Sequence, residues 1–442
     1  MFKTLVNAFK NKDVRKKILI TLALMFIYRL GCWLPIPGIS GVTYSGSLGK
    51  EGDILELLSM ITGGALSNGA FLAIGISPYI NASIIIQLLT VAIPRLEALS
   101  KQGEEGRKKI NKITRYFTLV LAIAQAAGIV VNFSRAGDAS GVTALSTGIF
   151  GVKMSKALVG VFVAVILVAG SMFTMWLGER ITEIGVGNGI SLLIFVGILS
   201  TAGISIISVI KTWIGGDTYA PWQLFAFIIL LVIIFTFIVF IDLAERKIPV
   251  HYAKQIKGRK QYGGQTTYIP IKINASGVLP IIFSTAIISF PQLIASMINP
   301  ASKFYENWSK YLGAGSWVYS IVVAVLIFFF SFFYAQVQFN PEEVARNIQQ
   351  YGGNITGLRP GKQTSDYLKK INKRLTLFGA IFLTIIAIVP TIIFKAVFKD
   401  AGSVLTSAFS STGMLIVVSV ALEFQKQLES QLMMKQYRGF LK

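Results

Sequence analysis

Ten separate stretches of this chain are apolar over the length needed to cross a lipid bilayer, and that fact limits its fold more than any motif does. A helix of about 20 apolar residues spans the ~30 Å hydrocarbon core. Within that core no water satisfies backbone N–H and C=O groups, so a crossing segment must pair them internally as a helix. The qualifying runs are 18–36, 71–93, 116–133, 157–177, 189–210, 222–241, 274–298, 317–339, 375–394 and 404–422. Composition agrees: 53% of the residues are hydrophobic and only 14% charged, whereas a soluble domain carries about 25% charged residues. The expected class is an all-α polytopic membrane protein.

The net charge is +22, from 42 Lys and Arg against 20 Asp and Glu. Basic residues collect in connections on the cytoplasmic side of a membrane. With the N-terminus placed there, connections 1–17, 94–115, 178–188, 244–273, 340–374 and 423–442 hold 32 Lys and Arg, and the opposite connections hold 9. Both termini are therefore expected in the cytoplasm, and topology accounts for most of the basic excess without nucleic acid. No short apolar segment with a small-residue cleavage site follows the basic stretch Met1 to Lys17, so no removable leader is expected.

The midpoint, 211–221 (KTWIGGDTYAP), has the Gly-Gly and Pro of a hinge. It separates an N-terminal half, 1–210, from a C-terminal half, 222–442, each with five runs. Five is odd, so the second half must lie upside down relative to the first, which predicts an inverted repeat with a central pathway. The long cytoplasmic connections 244–273 and 340–374 are too charged and too long for tight turns and should project from the membrane. Residues 53–70 (DILELLSMITGGALSNGA) fit none of the ten runs. Asp53 suits a helix cap, and Gly63-Gly64 ends that helix before it can span. A short helix returning from the outer face and a surface helix in an external loop fit this stretch equally well.

The runs contain no Asp, Glu, Lys or His, and Arg29 is their only charge. Ion-coupled transport generally uses an intramembrane ionisable group, and intramembrane hydrolysis needs a base, metal ligands or paired carboxylates at depth. With one cysteine, Cys32, and one histidine, His251, the chain assembles neither an internal disulfide nor a Cys/His metal cluster. There is no Gly-rich phosphate loop. No enzyme activity and no cofactor are expected, and energy must come from a partner. Arg29, in YRLGCWLPIPG, either extends its long stem outward or pairs within the protein.

Four long segments carry a family resemblance. They read GISPYINASIIIQLLTVAIPRLEALSKQGEEGRKKINKITRY from Gly75, MWLGERITEIGVGNGISLLIF from Met175, RKIPVHYAKQIKGRKQYGGQTTYIPIKINASGVLPIIF from Arg246, and FNPEEVARNIQQYGGNITGLRPGKQTSDYL from Phe339. Each resembles the corresponding segment of the SecY family of protein-conducting channels, in the same order and at the same span positions. Departures are small: His251 stands where the family often has Asn, and loop 37–70 is not diagnostic.

The resemblance implies two inverted halves around an hourglass pore closed by a ring of aliphatic side chains: Ile80, Ile84, Ile190, Ile194, Leu279 and Ile416. Helical spacing agrees in part, because Ile80, Ile84 and Gln87 share one face, as do Ile190 and Ile194. A hydrophobic constriction gates by dewetting and needs no charge. The resemblance further implies a plug helix within about 55–67, with Leu55, Leu57, Leu58, Met60, Ile61, Gly63 and Gly64. It implies a lateral gate between runs two and three on one side and seven and eight on the other, with Gln87 at that gate. Arg246, Lys247, Lys254, Lys257, Arg259, Lys260 and Arg359 would dock the SecA motor ATPase or the ribosome, whose RNA phosphates would make binding salt-sensitive. Arg359 sits in Gly-Leu-Arg-Pro-Gly, where Pro360 and the glycines favour a fixed turn. Further implied partners are SecE-like and SecG-like membrane subunits, signal sequences, nascent chains and the lipid of a bacterial cytoplasmic membrane. The rivals are a secondary transporter of a small solute and a pore-less scaffold.

Overall fold

The computed structural model describes residues 6, 8–39, 59, 62–136, 148–149, 152–153, 155–214, 221–252, 254–257, 260–263, 266–298, 302–313, 316–397 and 411–439. Among them a helix overlaps each of the ten apolar runs. In chain order these are α1 (Lys12–Gly31), α2 (Ser77–Ala92), then α3 (Pro94–Ser100) as a short continuation, α4 (Glu104–Ala136), α5 (Lys156–Ile184), α6 (Gly189–Ile214) and α7 (Pro221–Leu243). The second half continues with α8 (Leu279–Ile298), α9 (Lys303–Leu312), α10 (Trp317–Gln338), α11 (Pro341–Gln350), α12 (Lys362–Val397) and α13 (Ser411–Gly439).

Helices α4, α5, α7, α10 and α12 each contain a stretch long and apolar enough to cross a bilayer unaided. Helix α7 shows why: Phe225, Ile228, Ile229, Val232, Ile233 and Phe240 all stand exposed on it. A helix apolar on every side belongs in lipid or in a large core.

The helices depart from the apolar runs where backbone chemistry overrides hydropathy. Run 71–93 is helical only from Ser77, because 62–76 forms a series of turns and bends, and Pro78 occupies the first helical turn. At its far end Ile93 is extended ahead of Pro94, and α2 and α3 meet at a 104° bend; a residue before proline is driven out of the helical region. Helix α4 starts twelve residues before its apolar run and α12 thirteen before, at Glu104 and Lys362, because a charged helical end protrudes where hydropathy no longer registers it. Of the hinge expected at 211–221, residues 211–214 end α6 and Pro221 begins α7, and 215–220 lie outside the described residues.

Packing divides the membrane body into cores. In the first half, Ala126, Ile129 and Phe133 of α4 meet Val159, Val163 and Leu167 of α5, together with Leu66, Ala73 and Ile74. In the second half, α7, α8, α10, α12 and α13 share a core including Ile238, Ile281, Ile327, Leu383 and Leu415. The two long connections form one small domain. Strand β3 (Glu245–Tyr252) pairs antiparallel with β6 (Thr266–Lys272), from Glu245↔Lys272 to His251↔Thr266. The two-residue β7 (Gly353–Asn354) from the other connection adds to the end of β3. Between β3 and β6, β4 (Lys254–Lys257) and β5 (Lys260–Gly263) make a separate hairpin. Two further short strands, β1 (Gly148–Ile149) and β2 (Val152–Lys153), pair ahead of α5.

Candidate pore waist, side seam and cytoplasmic face

Where the two halves meet, a third buried cluster gathers residues from both. Ile194, Leu193 and Ile198 of α6 lie with Ile416 and Val420 of α13, Tyr28 of α1, Leu177 and Ile181 of α5, and Ala65 of the turns before α2. Ile80 and Ile190 pack against this cluster from partly buried positions. Four of the six residues expected in the ring, Ile80, Ile190, Ile194 and Ile416, are thus brought together. Their joint surroundings are aliphatic and aromatic.

The other two ring candidates lie elsewhere. Ile84, one helical turn from Ile80, is 3% exposed in a neighbouring cluster with Phe283, Phe330 and Tyr334. Ile80 and Ile282 touch both clusters and so connect them. Leu279 is 38% exposed and belongs to none of the buried clusters of the described residues, while Val278 and Ile282 flank the waist cluster. Leu279 is the first residue of α8, preceded by a run of turn residues from Ile273. Family position alone could not register which residue of this turn-to-helix junction faces the cluster.

The second cluster is a seam between α2 and the pair α8 and α10. Phe283 sits edge-on to Phe330 with centroids 5.6 Å apart and lies 5.0 Å from Tyr334. At its edge the Tyr334 hydroxyl donates to Gln87 Oε1, and Gln87 Nε2 donates to Ser83 Oγ at 3.2 Å. Gln87, expected at the lateral gate, is therefore paired across the boundary from α2 to α10. Tyr334 carries the other side of that pair and went unnoticed in the sequence, where it reads as one more aromatic in a run of them.

Of the residues expected in the plug, Leu55, Leu57, Leu58, Met60 and Ile61 lie outside the described residues. Gly63 and Gly64 are described, and both adopt left-handed backbone, with φ of 69° and 84°. The turns that follow are fixed to the end of α1: Ile36 N–H donates to Gly69 O at 2.9 Å and Phe71 N–H to Leu34 O at 2.8 Å. Ala65 and Leu66 are fully buried. The described part of this segment thus docks into the waist cluster before α2 begins.

In the small strand domain, alternation along β3 buries Ile248 and Val250 against Ala345, Ile348, Ile355 and Leu368 and leaves Arg246 and Lys247 exposed. Lys254, Lys257 and Lys260 lie on the β4–β5 hairpin, and Arg259 lies outside the described residues. Arg359 is exposed on a turn bounded by Gly357 at φ 82° and Gly361 at φ 99°, backbone that an L side chain rarely adopts. Its N–H donates to Gln363 Oε1 at 3.3 Å and its carbonyl accepts from Thr364 Oγ1 at 3.0 Å. The guanidinium is presented from a turn pinned on both sides.

The SecY family model matches residues 70–425. The chain is 42% identical to the protein translocase subunit SecY of Corynebacterium glutamicum, over 99% of each chain. Two solved structures share the fold. One, described as a protein conducting channel, has a TM-score of 0.67 and 22% identity, with 94% of this chain and 91% of that one covered. The other, at a TM-score of 0.66 and 20% identity over the same shares, is a SecY protein whose plug domain is described as stabilizing the closed channel and maintaining a membrane seal.

Proposed function

This chain belongs to the SecY family, and from that premise we propose how its own residues carry the family's work. It is a multi-pass membrane protein and the channel subunit of a protein translocase. Its partners are SecE-like and SecG-like membrane subunits, the SecA motor, the ribosome, and the signal sequences and nascent chains it handles. Unfolded polypeptide passes through the centre, and hydrophobic segments leave sideways into the bilayer.

The observation that carries the residue-level reading is the aliphatic cluster shared by α6, α13 and α2 at the boundary of the halves. We assign the waist to Ile80, Ile190, Ile194 and Ile416, with Ile84 on its seam side and Leu279 at the start of α8 beside it, and the segment containing Gly63 and Gly64 as the plug. A waist without fixed hydrogen bonds favours no particular side chain, so it closes around a sliding chain of any sequence. The side seam of Phe283, Phe330, Tyr334 and Gln87 is the lateral gate. Arg246, Lys247, Lys254, Lys257, Arg259, Lys260 and Arg359 form the docking face. The protein sits in a bacterial cytoplasmic membrane with both termini inside, and it catalyses no reaction itself.

The test is reconstitution with the SecE-like subunit, SecA and ATP in vesicles, scored by protection of an exported precursor from protease. Arg359→Glu turns attraction at a docking surface into repulsion, which costs several kcal/mol. It is expected to abolish SecA-driven export while leaving the protein inserted at normal abundance. Normal export by that variant would remove Arg359 from docking. Motor-independent flux of a small solute through the parent would instead establish the transporter reading.

A further inference from the structure

The one charge inside the apolar runs has no part in the function above, yet its surroundings are specific. Arg29 lies near the outer end of α1, half buried, with its guanidinium 5.4 Å from the ring centre of Trp33. Its Nη1 donates to the carbonyl oxygen of Gly63 at 2.8 Å. Gly63 has no room to be another residue. A Cβ there would stand 2.6 Å from Arg29 Nη1 and 3.2 Å from the Gly197 backbone of α6, at a φ of 69° that disfavours any side chain. The carbonyl is therefore wedged between α1 and α6, and the guanidinium caps it.

The position of this bond along the segment gives it meaning. The C-terminal end of the turns is fastened by the backbone bonds from Ile36 to Gly69 and from Phe71 to Leu34. Gly63 lies at the opposite end, where the chain arrives from residues 51–61. Beyond Gly63 toward the N-terminus, Gly64 N–H reaches Ser59 O at 2.7 Å and Thr62 Oγ1 reaches the same oxygen at 3.2 Å. Both bonds are internal to the segment, so they travel with it if it moves. The Arg29 bond ties it to a spanning helix. A hydrogen bond donated by a cation is stronger than one between neutral groups, and water replaces it as soon as the segment lifts out.

We propose that Arg29 is the clasp of the plug: its bond to Gly63 O holds the returning segment in the closed channel, and opening requires that this bond be given up to water. This rests on the plug assignment above. It makes Arg29 a positioning residue that acts through Gly63, with no contact of its own with the transported chain.

The experiment measures resting ion conductance in planar bilayers, using the purified complex with its SecE-like partner, normalised to channel number. Four proteins are compared: the parent, Arg29→Gln, a deletion of residues 57–67, and the two changes combined. Arg29→Gln is expected to raise the resting leak roughly tenfold, the order of effect from losing one charged hydrogen bond. The deletion is expected to leak more. The combined protein is expected to leak no more than the deletion, because Gly63 is then gone and the clasp has nothing to hold. A merely structural arginine would instead add its damage to that of the deletion, and that outcome overturns the clasp. A leaky deletion with a tight Arg29→Gln also overturns the clasp but leaves the plug standing. A tight deletion overturns the plug reading itself. Should Arg29→Gln fail to accumulate, Arg29→Lys, which keeps the charge and loses the planar fork, is read by the same comparison.

Discussion

The two places where the halves of this molecule meet are built from different chemistry. At the waist, Ile190, Ile194, Ile416 and Ile80 come together with other apolar side chains, and the contact has no direction. At the side seam, aromatic rings from α8 and α10 stack edge to face, and one hydroxyl-to-amide bond joins α10 to α2. Apolar contact is proportional to area and indifferent to orientation. Aromatic pairs and hydrogen bonds depend on geometry, each contributing about 0.5–1.5 kcal/mol. As the proposed waist, such a contact can widen and reclose around any chain. As the proposed gate, the seam would separate at a defined place, for a cost small enough that burying one apolar helix in lipid offsets it.

The largest effect is expected at the waist. Ile416→Asn leaves amide groups unsatisfied in the closed cluster, a cost of about 1–3 kcal/mol that hydration relieves once the channel opens. Each ~1.4 kcal/mol is a tenfold shift in the open-to-closed ratio. Export of a reporter with a defective signal sequence should rise about tenfold per channel. Loss of abundance with unchanged selectivity would place Ile416 against lipid.

A smaller, sharper comparison concerns the start of α8. Val278→Asn and Leu279→Asn differ by one residue, and the same reporter assay tells them apart. Val278 packs beside the waist cluster and Leu279 is 38% exposed, so Val278→Asn should relax selectivity more. Equal or reversed effects would show that the waist draws on Leu279 when closed.

The smallest effect is expected at the seam. Tyr334→Phe and Gln87→Leu each remove one partner of the same bond. Their effects on lateral release of a membrane segment should be about 1 kcal/mol or less singly and non-additive together. Full additivity would mean that the pair is incidental.

How much of this was legible from sequence depends on which chemistry carries each feature. The ten runs were, because hydropathy is a sum over 20 residues and tolerates local exceptions. The small strand domain was not. In β3 only Ile248 and Val250 are buried, among Arg246, Lys247 and Pro249, and its third strand arrives from a connection about 100 residues later. Family position grouped Ile80, Ile190, Ile194 and Ile416, which the fold brings to one cluster, and it was ambiguous at α8, where turns give way to helix beside Leu279. Arg29 was visible as an anomaly, but its partner is a backbone carbonyl, and no letter in a sequence marks one.

The central claim, that polypeptide passes through the aliphatic cluster between the halves, is tested most directly by photo-crosslinking during arrested export. A photoreactive residue is placed at Ile194 or Ile416, or at Phe240, which is 71% exposed on α7, and a precursor is stalled midway by a folded domain at its end. The expected result is cross-links to the precursor from 194 and 416 and only lipid adducts from 240. Precursor adducts from 240 with none from the waist positions would contradict it.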